Sequence, residues 1–221
     1  MRMVSTLFPD KIEIDDTEVT TFVIENKNLY LKVAKDIYCQ SKGESGDIKL
    51  SDNDELIKIS NSVEMITDFI GFEPDNKKII TKICKMLETD LQQGEYYYSV
   101  MELLSKIEQL MDDASAQFPF SLMFDGISIA ALIKMASPKP VDDSDSEVMH
   151  IYNYMEMVRE VLGERLFVMV GMRDFFSDAD MQVFVNNAVS HKYRVLLLES
   201  RESVLLDNER RMILDNDICI I

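Results

Sequence analysis

Three cysteines, two histidines and no glycine-rich loop exclude several kinds of chemistry from this 221-residue chain. Cys39, Cys84 and Cys219 are odd in number and far apart, without the paired spacing of a zinc site or the density of a disulfide framework. Free thiols in a reducing compartment are the expectation. A Ser-His-Asp or Cys-His centre would have to use His150 or His191, and no nucleophile-elbow pattern accompanies either, so both are read as surface or structural residues. No apolar run approaches the roughly 20 residues that a membrane span requires. The opening stretch from Met1 to Pro9 has no signal-peptide hydrophobic region, so a cytoplasmic protein is expected. Positive charge is also scarce: 23 Lys and Arg stand against 40 Asp and Glu, a net charge of −17. That balance is the reverse of the usual nucleic-acid footprint and favours solubility, divalent-cation binding or a basic partner. Any contact with DNA must come from a local concentration of lysines.

The phosphate-loop pattern Gly-x-x-x-x-Gly-Lys-Ser/Thr is missing too. The nearest stretch, Ser41 to Asp47, has Asp where the lysine belongs and follows a helical pattern, so it reads as a turn. Nucleotide hydrolysis is therefore disfavoured.

What is present is an α/β framework, clearest in the last 57 residues. Leu166 to Val170 is a continuous apolar run of the kind buried on both faces of a parallel sheet. Ser177 to Asp180 has capping-box form and opens a helix through Met181, Phe184, Val185, Ala188 and Val189. Val195 to Leu198 is a second buried strand, followed by a short helical stretch and a terminal strand. A strand-helix-strand unit this short implies a right-handed crossover in an open sheet, whose ligands bind at the strands' carboxyl ends. Those ends carry Gly171-Met-Arg173 and Glu199-Ser-Arg201.

Residues 20–24 form another strand, after which Asn26 caps a helix with Leu29, Val33 and Ile37 inward. Ile48 to Leu50 is a candidate short strand. From Leu56 to Lys139 no strand is expected. Helices run over 76–91, with Ile79, Ile80, Ile83, Met86 and Leu87 on one face, and over 97–111, with Val100, Leu104, Ile107 and Leu110. A shorter helix covers 127–135. Ser144 to Glu147 has capping-box form and opens the helix that leads to Leu166. The expected architecture is an open, mainly parallel α/β head from residues 1–60 and 141–221, interrupted by an α-helical leg at 61–140.

Two sets of residues are candidates for binding. Lys78, Lys82 and Lys85 recur at i, i+4 and i+7 opposite the apolar face of their helix, with Lys77 beside them; they form either a solvated face or a phosphate-contacting stripe. Lys134 and Lys139 are further candidates of the same kind. Asp112, Asp113 and Asp125 flank the Phe118-Pro119-Phe120 loop and supply either ordinary helix capping or an oxygen cage of the kind calcium prefers. The acidic run Asp142, Asp143, Asp145 and Glu147 lacks the glycine and distal glutamate of a calcium loop and reads as a solvated linker that caps a helix.

Several segments, in order, carry a resemblance: residues 66–72 (ITDFIGF), 131–134 (ALIK), 151–154 (IYNY), 166–170 and 197–202 (LLESRE). The chain resembles the small accessory protein of type II-A CRISPR operons, the Csn-two family, with Ser200 standing where that family often has proline. None of these segments is catalytic; the likeness lies in their order and spacing. It implies a ring-shaped homotetramer with α/β heads and helical legs, and a phosphate-loop-NTPase-like topology without the nucleotide motifs. It also implies calcium-dependent binding of duplex DNA, with a preference for ends, in spacer acquisition. No enzymatic activity is expected, and the adaptation integrase and the type II effector nuclease are the implied partners. One departure concerns calcium: the stretch from Ala114 to Phe124, richly acidic in close relatives, contains no acid here. The rival expectation is an acidic scaffold that recruits adaptation partners, with DNA contact incidental.

Overall fold

Long apolar runs bounded by capping residues build the larger sheet of this protein, whose computed structural model describes residues 1–70, 77–141, 144 and 146–221. The chain begins β1 (Arg2–Val4), β2 (Ile12–Glu13), β3 (Val19–Ile24), α1 (Lys27–Ser41), β4 (Lys49–Asp52), β5 (Glu55–Ile57), α2 (Ile59–Ser62) and β6 (Val63–Ile66). Three helices follow: α3 (Lys77–Gln93), α4 (Tyr97–Ser115) and α5 (Ile129–Ala136). It closes with α6 (Glu147–Leu162), β7 (Leu166–Val170), a 3-10 turn at Met172–Asp174, α7 (Asp178–Ser190), β8 (Arg194–Glu199) and β9 (Glu209–Leu214). Two compact units result, one from Met1–Glu73 with Asp142–Ile221 and one from Pro74–Val141.

The first unit is α/β. Its main sheet has the order β6-β7-β8-β3-β9, and every neighbouring pair is parallel. All six residues of β3 are buried between β8 and β9, and Leu196 to Leu198 of β8, the central strand, are fully buried beside it. Full burial of a Leu or Val side chain contributes about 1.5–3 kcal/mol, so these strands anchor the unit. The caps work as the residues suggest: Asn26 accepts from the Leu29 N–H at 3.1 Å, and Ser177 accepts from the Asp180 N–H at 3.2 Å. Leu29, Val33 and Ile37 of α1 are buried. Gly171, at φ +68°, turns the chain sharply after β7 while its N–H donates to the Leu198 carbonyl.

Several expectations need correction. A second, antiparallel sheet of order β2-β1-β4-β5 escaped the sequence reading, apart from part of β4. Its strands are two to four residues long, too short for an alternating pattern to register, and its β1–β4 pairing joins Met3 to the distant Leu50. Met3, Ile12 and Leu50 nonetheless join Phe22, Val33 and Leu198 in one core cluster. The stretch from Leu56 onward is not free of strands, since β6 pairs with β7 as the edge of the main sheet. Residues 200–208 contain no helix; they form a loop that ends in a turn and is tied down by side chains, with Arg173 donating to the Val204 carbonyl and Glu209 accepting from the Leu206 N–H. Ser144 does not cap α6: the cap position is Ser146, and the Ser144 hydroxyl accepts from Asn153 at 2.7 Å. Asp142, Asp143 and Asp145 lie outside the described residues, as do Gly71, Phe72 and Asn76.

The second unit is helical throughout its regular structure. Its buried core consists of Val100, Leu104, Ile129 and Ile133, with Cys84, Leu91 and Ile127 packed against it. Met86, Leu87 and Leu110, expected on the inner faces of their helices, are exposed. Among the described residues, the four of the core and Ile79 leave much of the apolar faces of α3 and α4 uncovered.

Candidate nucleic-acid interface

The carboxyl ends of parallel strands are the usual place for a ligand, and here that edge is internally committed. Only Glu25 and Asn26 separate β3 from α1, so no loop of backbone amides is available to cradle phosphates. Asn26 donates to the Asn216 carbonyl and Asn216 donates to Glu25, each at 3.2 Å, which closes the junction with a carboxylate in it. Arg173 and Arg201, the two cations that end the neighbouring strands, are both engaged within the chain. Arg173 is buried and pairs with the fully buried Glu209, which also accepts from the Thr21 hydroxyl. Arg201 pairs with Asp174.

Glu199, at the end of β8, is only 2% exposed. Burial pushes its carboxyl up to about 7; Asp174 pushes in the same direction, while N–H bonds from Arg173 and Met172 and the Arg173 charge oppose it. Burial, with Glu199 and Asp174 adding, also pushes the Tyr30 phenol up to about 12. A carboxylate that accepts backbone N–H groups serves here to hold the turn after β7. His150 lies within α6, and His191 follows α7 with Nδ1 3.0 Å from the Asn187 carbonyl. The two histidines therefore occupy ordinary helix positions.

The helical unit is electrically different. It holds seven lysines, no arginine and nine acids, for a net charge of −2, and the other unit carries the remaining −15. Lys77, Lys78, Lys82 and Lys85 are all exposed, opposite the buried Ile79 and half-buried Ile83. No acid occupies the first turn of α3. Lys78 to Lys85 spans about 10 Å of helix axis at 1.5 Å per residue. Lys134 in the last turn of α5 and Lys139 beyond it are also exposed. Lys106 of α4 pairs with Glu102 at 2.5 Å.

The acids proposed for calcium are not gathered. Asp112 and Asp113 lie in the last turn of α4, and Asp125 lies in the extended segment before α5. Among the described residues no group of three or more His, Cys, Asp or Glu side chains is placed to hold a metal ion. The three carboxylates therefore do not fit a calcium cage within one chain.

Comparison with known proteins adds three findings. A family model described as CRISPR-associated protein (Cas_Csn2) matches residues 40–218. CRISPR-associated protein Csn2 of Streptococcus agalactiae is 25% identical over 146 residues, covering 63% of this chain and 65% of the relative, so the match spans less than two thirds of that protein's length. The crystal structure of Stu0660 of Streptococcus thermophilus has the same fold, with a TM-score of 0.60 at 15% identity over 97% of this chain and 74% of that one.

Proposed function

We propose that this chain, which belongs to the CRISPR-associated Csn2 family, binds the ends of double-stranded DNA as a non-enzymatic homotetrameric ring that supports spacer acquisition in the cytoplasm. The observation that carries this reading is the segregation of charge, with exposed lysines concentrated on one face of α3 in the unit of net charge −2. Lysines are point-charge phosphate binders without the bidentate fork of arginine, so they suit sequence-independent contact. Screening over about 8 Å at physiological salt hides the acidic remainder from a duplex lying on that face. The exposed apolar side chains of α3 and α4 supply surface for self-association. The closed β3–α1 junction supports a role without nucleotide chemistry. The adaptation integrase and the type II effector nuclease are the proposed partners. Calcium remains a requirement to be tested, since Asp112, Asp113 and Asp125 make no site by themselves.

A second reading, an acidic scaffold for basic partners, is favoured by the −15 of the sheet unit. The test is binding to linear and closed-circular duplex of equal length, each with calcium and with chelator, for the wild type and a Lys78→Ala/Lys82→Ala/Lys85→Ala variant. End binding by a ring gives binding to linear DNA only. The variant should bind about 10- to 100-fold more weakly, and its slope of log affinity against log salt should shrink by up to about 2.7, at about 0.9 per phosphate contact. Equal binding to both forms would mean side-on contact. Unchanged binding by the variant would remove α3 from the interface, and no binding to either DNA would leave the scaffold.

A further inference from the structure

Between Ile107 and Ile133 the chain has no lysine or arginine, while Glu108, Asp112, Asp113 and Asp125 all fall within that span. In the middle lies a strap, residues 118–124 (FPFSLMF), that exposes its apolar side chains: Phe118 is 54% exposed, Phe120 59% and Met123 91%. It is anchored at both ends. The Phe118 N–H donates to the Ser115 carbonyl, and the Ile127 N–H donates to Glu108. The Phe118 and Phe120 rings lie 5.6 Å apart around Pro119. Together with Asp112, Ser115 and Leu122 they line an open concavity of about 400 Å³. Exposed aromatic surface around a concavity is the material of protein interface hot spots, where a buried anchor from a partner supplies most of the affinity.

We infer that this strap is a docking site for a protein segment that presents an apolar or aromatic anchor flanked by lysine or arginine. Charge complementarity selects that occupant. Asp112 lines the concavity, and Asp113 and Asp125 flank the strap along the chain; these carboxylates repel phosphate and anionic headgroups, and the strap itself contains no cation. A nucleic acid or an anionic membrane is therefore disfavoured at the site. The anchor fills the aromatic concavity, and the flanking cations meet Asp112, Asp113 and Asp125. The inference is independent of the DNA-binding proposal, because the α3 lysines and the strap share no residue.

The test uses the full chain as bait for a displayed library of random twelve-residue peptides, followed by titration with a labelled synthetic copy of the most enriched sequence. Enrichment of peptides that combine Trp, Phe or Leu with Lys or Arg is expected. Affinity for that peptide should fall at least tenfold in Phe118→Ser/Phe120→Ser/Met123→Ser and several-fold in Asp112→Asn/Asp113→Asn/Asp125→Asn. Both variants should keep wild-type circular dichroism, and the serine variant should keep wild-type duplex affinity. No enrichment, enrichment of acidic or uncharged peptides, or equal affinity for the variants would overturn the inference. So would a change in subunit number of the serine variant by light scattering, which would assign the strap to contact between copies, or its loss of binding to anionic vesicles that the wild type retains.

Discussion

The sheet unit and the helical unit place the same kinds of residue in opposite surroundings. In the sheet unit six of the eight arginines are held in ion pairs, and β3, β7 and β8 are buried almost throughout. In the helical unit the stripe lysines are exposed, and among the described residues α3 and α4 bury Ile79, Val100 and Leu104 while exposing Met86, Met101, Leu103, Leu110 and Met111. The first unit uses most of its arginines and its long apolar strands within its own fold, while an excess of acid and single apolar residues such as Leu31 and Leu56 stay at its surface. The second exposes a lysine stripe and much of the apolar faces of its helices, and binding surfaces are made of what a fold does not use.

The sharpest way to break the comparison is to open the sheet unit's own network. Glu209 is fully buried between Arg173 and Arg211 and accepts from Thr21 and from the Leu206 N–H. Glu209→Ala leaves the buried Arg173 guanidinium without its carboxylate, while Arg211 keeps Glu202 at 3.0 Å, and removing one partner of a buried pair costs about 3–5 kcal/mol. Denaturant unfolding should show a loss of that size. Duplex affinity of the folded fraction should be unchanged. A loss below about 1 kcal/mol would mean that the network contributes little to the unit's stability.

Glu199 sharpens the same contrast through pH. The fold raises its carboxyl from 4.5 to about 7, so the protonated form is favoured in the native state. Its contribution to stability is full below about pH 4.5 and is lost as pH rises through about 7. The shift corresponds to roughly 3 kcal/mol at 1.36 kcal/mol per pK unit. Glu199→Gln, which stays neutral, should match the wild type near pH 4.5 and exceed it in urea midpoint at pH 8.5. Parallel pH curves for the two proteins would show that the carboxyl titrates normally.

What could be read in the sequence divides along the same line. Leu166 to Val170, Val195 to Leu198 and the caps at Asn26 and Ser177 are local signals: an apolar run or a hydroxyl beside a helical pattern needs no distant partner to be recognised. β6, which pairs with β7, and β1, which pairs with β4, are short strands defined by residues far away in the chain, and β4 and β5 form a hairpin whose strands are too short to show a pattern. The strand-end cations Arg173 and Arg201 were visible as a binding candidate. Glu209, which occupies Arg173, lies 36 residues on and reaches it only through the β3–β9 pairing. Periodicity also announced apolar faces on α3 and α4 without indicating what covers them, which is why Leu110 was expected inside. The lysine stripe, being local to one helix, was legible and came out exposed.

The smallest expected effect is in the helical unit, where the two halves of the comparison can be separated most finely. Leu104 is 6% exposed, whereas Leu103 and Leu110 of the same helix are 47% and 67% exposed. Leu104→Ala removes a buried side chain from the cluster with Val100, Ile129 and Ile133 and should cost about 2 kcal/mol or more. Leu103→Ser and Leu110→Ser should change stability by no more than about 0.5 kcal/mol in dilute solution, where each chain stands alone. Repeating the unfolding at increasing protein concentration turns the comparison into a test of assembly. If a second copy covers α4, the serine variants lose stability relative to the wild type only as concentration rises, because only the associated state buries those side chains. If they cost as much as Leu104→Ala at every concentration, the leucines are already covered within one chain.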